Sequence, residues 1–191
     1  MELDPDLVVR ARKGERAAQG AFVEVYQQRV YAVCVALGGA DAEDCAQDAL
    51  LAALLGLARF DPHGPARLGT FVVRIARNRC IDRARSAHVQ ASRDASDPDR
   101  LAVGAGADAQ LVRADDHETI RAAVLELPED QRTAIVLQLW GELEYAEIAE
   151  IVGVPIGTVR SRLARAKETL RARLAAVAGA DAVEPLTLEL P

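Results

Sequence analysis

Six basic side chains crowd a short stretch near the end of this chain: Arg160, Arg162, Arg165, Lys167, Arg171 and Arg173, with Glu168 as the lone acid among them. A local charge of +5 in a protein of formal net charge −6 is what a phosphate-bearing partner would select. Thr158 and Ser161 lie in the same stretch and add hydroxyls that bond phosphates or base edges. A second basic run, Arg67 to Arg85, holds six arginines, among them Arg74, Arg77 and Arg79, against Asp82 alone. Two separated basic elements point to two separate contacts with nucleic acid. Catalysis has no comparable support, because His63, His88 and His117 are isolated and none pairs with a nucleophile at a recognisable spacing. Cys34, Cys45 and Cys80 are widely spaced and form no CxxC or Cys/His cluster. The spacing therefore indicates neither a disulfide framework nor a metal site, the cysteines read as small buried apolar groups, and no cofactor is expected.

The elements that must position the first basic stretch are two consecutive helices. Ala146, Ile148, Ala149, Ile151 and Val152 give a short amphipathic helix, ended by Gly153, which supplies a left-handed residue at the C-terminus. Pro155 restarts the chain, and Thr158 is placed to cap the next helix with its hydroxyl. In that second helix Val159, Leu163, Ala166, Leu170 and Leu174 share one stripe, while Thr158, Ser161, Arg162 and Arg165 lie off it. A helix, a tight Gly-Val-Pro turn and a second helix with a packing face and a basic face predict a helix-turn-helix over about 144–164, its second helix laid in a DNA major groove.

High Ala and Leu content with little period-2 alternation predicts an all-α protein. In the N-terminal half the pattern predicts helices over Leu3–Gly14, Ala18–Ala36, Ala42–Arg59 with Asp41 as N-cap, and Thr70–Ala87. Two Pro and two Gly in Phe60–Gly69 break the helix between the last two. Residues 88–110 are small, polar and acidic without a sustained period, which predicts a flexible linker. Helical pattern returns near Leu111, and Pro128 suits the first turn of a further helix that Gly141 closes. The expected organisation is thus two small helical domains, 1–87 and 111–177, joined by the linker 88–110 and followed by an acidic tail, 178–191. With no apolar run of membrane-spanning length and no basic-then-apolar leader order, the expected location is cytoplasmic.

These stretches, in this order, resemble a bacterial RNA polymerase sigma factor of the extracytoplasmic-function (ECF) group of the sigma-70 family. AEDCAQDAL (Ala42–Leu50), RFDP (Arg59–Pro62) and TFVVRIARNRCIDRAR (Thr70–Arg85) match sigma region 2. LPEDQRTAIVL (Leu127–Leu137) and YAEIAEIVGVPIGTVRSRLARAKETL (Tyr145–Leu170) match region 4. The second motif is shared with other helix-turn-helix regulators, and the first makes the assignment specific.

The resemblance implies a non-enzymatic subunit that binds core RNA polymerase through its clamp and flap, directs it to promoters and helps to melt the −10 region. It places Glu43, Asp44, Gln47, Leu50 and Leu51 in the core-binding helix. It places Phe60, Arg74, Arg77, Asn78 and Arg79 at the −10 element, where an aromatic wall and an amide would receive an unstacked base. Thr158, Arg160, Ser161, Arg162 and Arg165 fall at the −35 element. Where many relatives carry Trp, this chain has Phe71, and Leu50 and Leu54 stand in place of aromatic residues. Ala49–Ala58 has no charged residue, so polymerase or an anti-sigma partner is expected to cover its apolar face. The rival readings are a stand-alone helix-turn-helix regulator and, more remotely, a protein-binding adaptor that uses the Ala49–Ala58 surface.

Overall fold

The computed structural model describes residues 2–38, 41–94 and 114–178. Among them every regular element is helical, and the chain divides into two compact units, 1–108 and 109–191. The first contains α1 (Pro5–Arg12), α2 (Arg16–Gly38), α3 (Ala42–Gly56), a 3-10 turn (Leu57–Arg59) and α4 (Leu68–Asp94). The second contains α5 (Ala114–Leu125), α6 (Glu129–Leu139), α7 (Tyr145–Val152) and α8 (Ile156–Ala178).

In the first unit α2, α3 and α4 pack on one another around Phe22, Tyr26, Val30, Val33, Ala49, Ala53, Leu57, Val72, Val73 and Ala76, all buried. The many alanines on α3 let the three helices approach closely, and the large side chains come mostly from α2 and α4. Phe22 and Tyr26 pack one turn apart, with ring planes tilted by 50° and centroids 5.2 Å apart. The Tyr26 hydroxyl donates to Glu2 at 3.1 Å, and Glu2 also accepts the Gly69 amide at the start of α4. Burial, then the charge of Glu2, pushes the Tyr26 phenol up from its ordinary pKa, so it stays a donor. A Cβ at Gly69 would stand 2.6 Å from Arg29 Nη1 and 2.7 Å from Glu2 Oε1, so a larger residue in this first turn of α4 would push those two side-chain ends aside.

Several sequence expectations are corrected. α3 gives way to a 3-10 turn after Gly56 instead of running as α-helix to Arg59. Asp41 occupies the N-cap position of α3, but its carboxylate bonds no helix amide and faces Arg83 at 3.7 Å. α4 runs on to Asp94, into the stretch expected to be linker; residues 95–113 and 179–191 lie outside the described residues, as do the expected helix start near Leu111 and nearly all of the acidic tail. Pro128 sits immediately before α6 as its N-cap residue. α8 begins at Ile156, so Thr158 lies inside its first turn and is not the cap; its amide already bonds Pro155 O at 2.8 Å.

The cysteines are buried, as expected, but the helices gather them. Cys34 from α2, Cys45 from α3 and Cys80 from α4 are buried, free, and converge with their three sulfurs all within 4.8 Å of one another. Linear spacing cannot reveal this, because three packed helices bring the residues together. Their thiols lie within hydrogen-bond reach of one another: a hydrogen bond with Cys80 and burial push Cys34 up, while hydrogen bonds from Cys34 and Cys45 draw Cys80 down.

Candidate nucleic-acid and polymerase interfaces

In the second unit the basic stretch stands on α8, and local chemistry fixes how α8 is held. Gly153 adopts φ 73°, ψ 35° and turns its amide onto Ala149 O at 2.9 Å, closing α7 with the left-handed residue expected there. The Val154 amide returns to the same carbonyl at 3.1 Å, and Pro155 leads directly into α8. At the other end of α7, the Glu147 carboxylate accepts the Glu144 amide at 2.8 Å. Ile148 and Ile151 of α7 are buried, as are Val159, Leu163, Ala166 and Leu170 of α8 and Ile135, Val136 and Leu137 of α6. α8 packs on α5, α6 and α7, so its apolar stripe is buried from Val159 to Leu170, and Leu174 is half-buried beyond it.

The predicted contacts lie off that stripe. Arg160, Ser161 and Arg165 are exposed, and Thr158 is half-buried at the first turn. Ser161 Oγ bonds Thr158 O at 2.9 Å. Arg162 differs from its neighbours: its Nε lies 3.1 Å from Asp130 Oδ2 in the first turn of α6, and its side chain is only 22% exposed. Arg173, further along, pairs with Glu126. Sequence reasoning passed over Ile156, which is 43% exposed at the tip of α8, and Gly157, where a Cβ would meet open space. No sequence signal marked it, because at 100° per residue Ile156 falls on the same angle as Leu174, within the α8 stripe.

In the first unit the second basic run is displayed along α4. Arg74, Asn78 and Arg79 are exposed, and Arg77, half-buried, donates to Asn78 Oδ1 at 3.2 Å. The Arg74 guanidinium stands 6.0 Å from the Phe71 ring centroid, at the outer reach of a cation–π contact. Phe60 packs on Phe71 with centroids 5.2 Å apart and is itself only 8% exposed. The partly open ring is therefore Phe71, and Phe60 backs it. A Cβ at Gly56 would stand 2.9 Å from Phe71 Cζ, so the glycine that ends α3 makes room for that ring. The preceding loop turns on Asp61, which accepts the His63 amide at 3.0 Å and the Gly64 amide at 3.2 Å.

The residues predicted on α3 divide between two sides. Asp44 joins Asp41 and Asp48 around Arg83 of α4, at 3.6, 3.7 and 3.2 Å. Glu43, Gln47 and Leu50 line a shallow groove of about 320 Å³ with Ala46 and, from α2, Gln27, Gln28 and Tyr31. Leu51 and Leu55, one turn apart, are 57% and 70% exposed. The α2 wall of this groove had no sequence signal beyond Tyr31 lying off the buried face of its helix.

Comparison with known proteins accords with this arrangement. The sigma-70 region 2 family model matches residues 22–89, and the sigma-70 region 4 model matches residues 117–170. The chain is 32% identical to the ECF RNA polymerase sigma factor SigW of Bacillus subtilis over 178 residues, covering 87% of this chain and 94% of that protein. It belongs to the ECF group of the sigma-70 family. The ECF sigma-E factor of Escherichia coli K12 is similar at 33% identity, with 87% of this chain and 92% of that protein covered. Among solved structures, the sigma factor RpoE of Bartonella quintana in complex with the anti-sigma factor NepR superimposes with a TM-score of 0.64 at 26% identity, covering 80% of this chain and 93% of that one. In this sigma factor, the region 2 match runs from Phe22 within α2 through α3 and into α4 as far as residue 89, and the region 4 match takes in the helix-turn-helix. Sigma factors are DNA-binding initiation factors without enzymatic activity, and the stand-alone regulator is the less favoured reading.

Proposed function

We propose that this sigma factor reads the −35 element with the N-terminal half of α8 and receives an unstacked −10 base against α4. The observation that carries the first part is that Arg160, Ser161 and Arg165 are exposed on a helix whose apolar stripe is buried from Val159 to Leu170. A major groove admits such a helix, and arginines give bidentate contacts to guanine or bond phosphates. Arg162, tethered to Asp130, positions α8 while staying beside the groove-facing row. Ile156 at the tip suits a thymine methyl group.

For the second part, Phe71, Arg74 and Asn78 recur at helical spacing along one side of α4, with Arg79 beside them. Stacking on a half-open ring, a cation over it, and an amide to read an edge together offset the few kcal/mol needed to unstack a base. Arg77 steadies Asn78 by donating to its Oδ1. Core polymerase docks on α3, over Glu43, Gln47, Leu50, Leu51 and Leu55, with Asp44 held by Arg83 at the margin. An anti-sigma protein, as seen on the Bartonella relative, would compete for such exposed surface. Among the described residues no helix is long and apolar enough to cross a membrane, and we place the protein with polymerase in the cytoplasm. The domains would act as region 2 over 1–87 and region 4 over 111–177, bridged by 88–110.

In vitro transcription with purified core polymerase and a genomic promoter library tests the proposal. Start sites should appear only when this chain is added. Tight sequence-specific DNA binding by the chain alone at physiological salt, with no new start sites, would return the reading to the stand-alone regulator.

A further inference from the structure

The buried thiol triad belongs to neither interface. Cys34 is in the last turns of α2, Cys45 in the first turns of α3, and Cys80 midway along α4, so each helix of the bundle gives one sulfur. Cys45 Sγ and Cys80 Sγ are 3.5 Å apart, and no pair of the three is more than 4.8 Å apart. A metal ion about 2.3 Å from each of three thiolates puts those sulfurs roughly 4 Å apart, inside that range. The triad is thus preformed to within changes of less than about 1 Å in sulfur separation.

Two features narrow the ion. The ligands are all sulfur, which selects soft, thiophilic metals over those preferring oxygen or nitrogen. Among the described residues, no fourth His, Cys, Asp or Glu joins the group, and all three cysteines are at most 1% exposed, leaving a water ligand little access. Structural zinc closes its shell with four protein ligands, and catalytic zinc keeps an open position for water. Neither arrangement is offered here. We propose that Cys34, Cys45 and Cys80 form a three-sulfur site for a monovalent copper ion at the centre of the first unit.

Binding is a proton-for-metal exchange without redox change. Each thiol releases its proton to solvent, three S–Cu bonds form, and copper remains in the +1 state. Because the ligands sit on three different helices, the ion ties α2, α3 and α4 together, and its binding free energy adds to folding. It also anchors the start of α3, two residues from Glu43, so occupancy would stiffen the groove between α2 and α3. The metal site stands on the sulfur geometry alone and does not depend on the polymerase-docking reading.

The test uses the full chain, reduced and free of oxygen, titrated with Cu(I) as its acetonitrile complex against the chromogenic chelator bathocuproine disulfonate. The expected result is one copper per chain, a first shell of three sulfurs at about 2.3 Å by X-ray absorption, and a thermal midpoint raised on the order of 10 °C. C34A, C45A and C80A should each weaken retention by at least about 10-fold with helicity intact. Copper lost entirely to the chelator, a shell of two sulfurs, or retention unchanged in all three variants would overturn the site. Zn(II) holding tighter than Cu(I), with a nitrogen or oxygen in its shell, would overturn the three-coordinate assignment. Should an alanine variant unfold, the sulfur count on the parent protein decides.

Discussion

Arg162 and Asp130 form a tie between α8 and the first turn of α6, Nε to Oδ2 at 3.1 Å, while Arg165 one turn on stands exposed. Neighbouring arginines on one helix are therefore held differently. With one partner half exposed and the other about a quarter, the pair adds roughly 0.2–1 kcal/mol to the unit. Asp130→Ala should lower the stability of the second unit by no more than that, and weaken −35 binding slightly by loosening α8. Chemical denaturation beside promoter titration separates the two effects. A large loss of affinity with no loss of stability would show that Asp130 shapes the DNA contact more directly.

Arg165→Ala should cost about 1–3 kcal/mol of promoter affinity and leave the unfolding transition in place. A base contact would relax the preference at one position of the −35 element, whereas a phosphate contact would weaken all sequences alike and lower the salt dependence. Binding measured across a −35 mutant series at two salt concentrations distinguishes them. Unchanged affinity removes Arg165 from the site.

Asn78 is exposed and accepts a hydrogen bond from Arg77, so Asn78→Ala should change stability by less than about 0.5 kcal/mol. Open-complex formation on duplex promoter should fall, and a pre-opened mismatch bubble should recover part of it, since the unstacking cost is then absent. Permanganate reactivity of −10 thymines on both templates reads this out. Equal opening by mutant and parent would make Asn78 a spectator.

Gly56→Ala places a methyl group 2.9 Å from Phe71 Cζ and forces that ring to move. Gly56 has helical φ and ψ, so alanine gains up to about 1 kcal/mol in helix propensity, offsetting part of the overpacking cost. Net stability should change by less than about 2 kcal/mol, whereas promoter melting should fall clearly. Melting unaffected in a folded Gly56→Ala protein would argue that Phe71 is not the stacking wall.

Leu51 and Leu55 gain little from folding because more than half of each remains exposed. Leu55→Gln should thus be near neutral for stability, within about 0.5 kcal/mol, but weaken competition for core polymerase against a second sigma factor. Full retention of core affinity in the Leu51→Gln, Leu55→Gln double variant would move the docking surface elsewhere.

Periodicity alone determined the all-α class, the packed stripe of α8, the left-handed Gly153 and the basic faces of α4 and α8, because each depends on angles within one helix or one turn. The region 2 and region 4 motifs were likewise legible, since each is a run of consecutive residues. What one residue meets on another helix was not. Only packing showed that Arg162 leans on Asp130, that Arg83 gathers three aspartates, and that Phe60 lies behind Phe71 and so is covered. The start of α8 at Ile156 and the run of α4 to Asp94 were misread because composition marks where a helix is discouraged, while its ends are set by which backbone bonds form. The cysteines are the clearest case. Cys34, Cys45 and Cys80 lie on three separate helices, and no spacing along the chain encodes that α2, α3 and α4 bring their sulfurs within 4.8 Å.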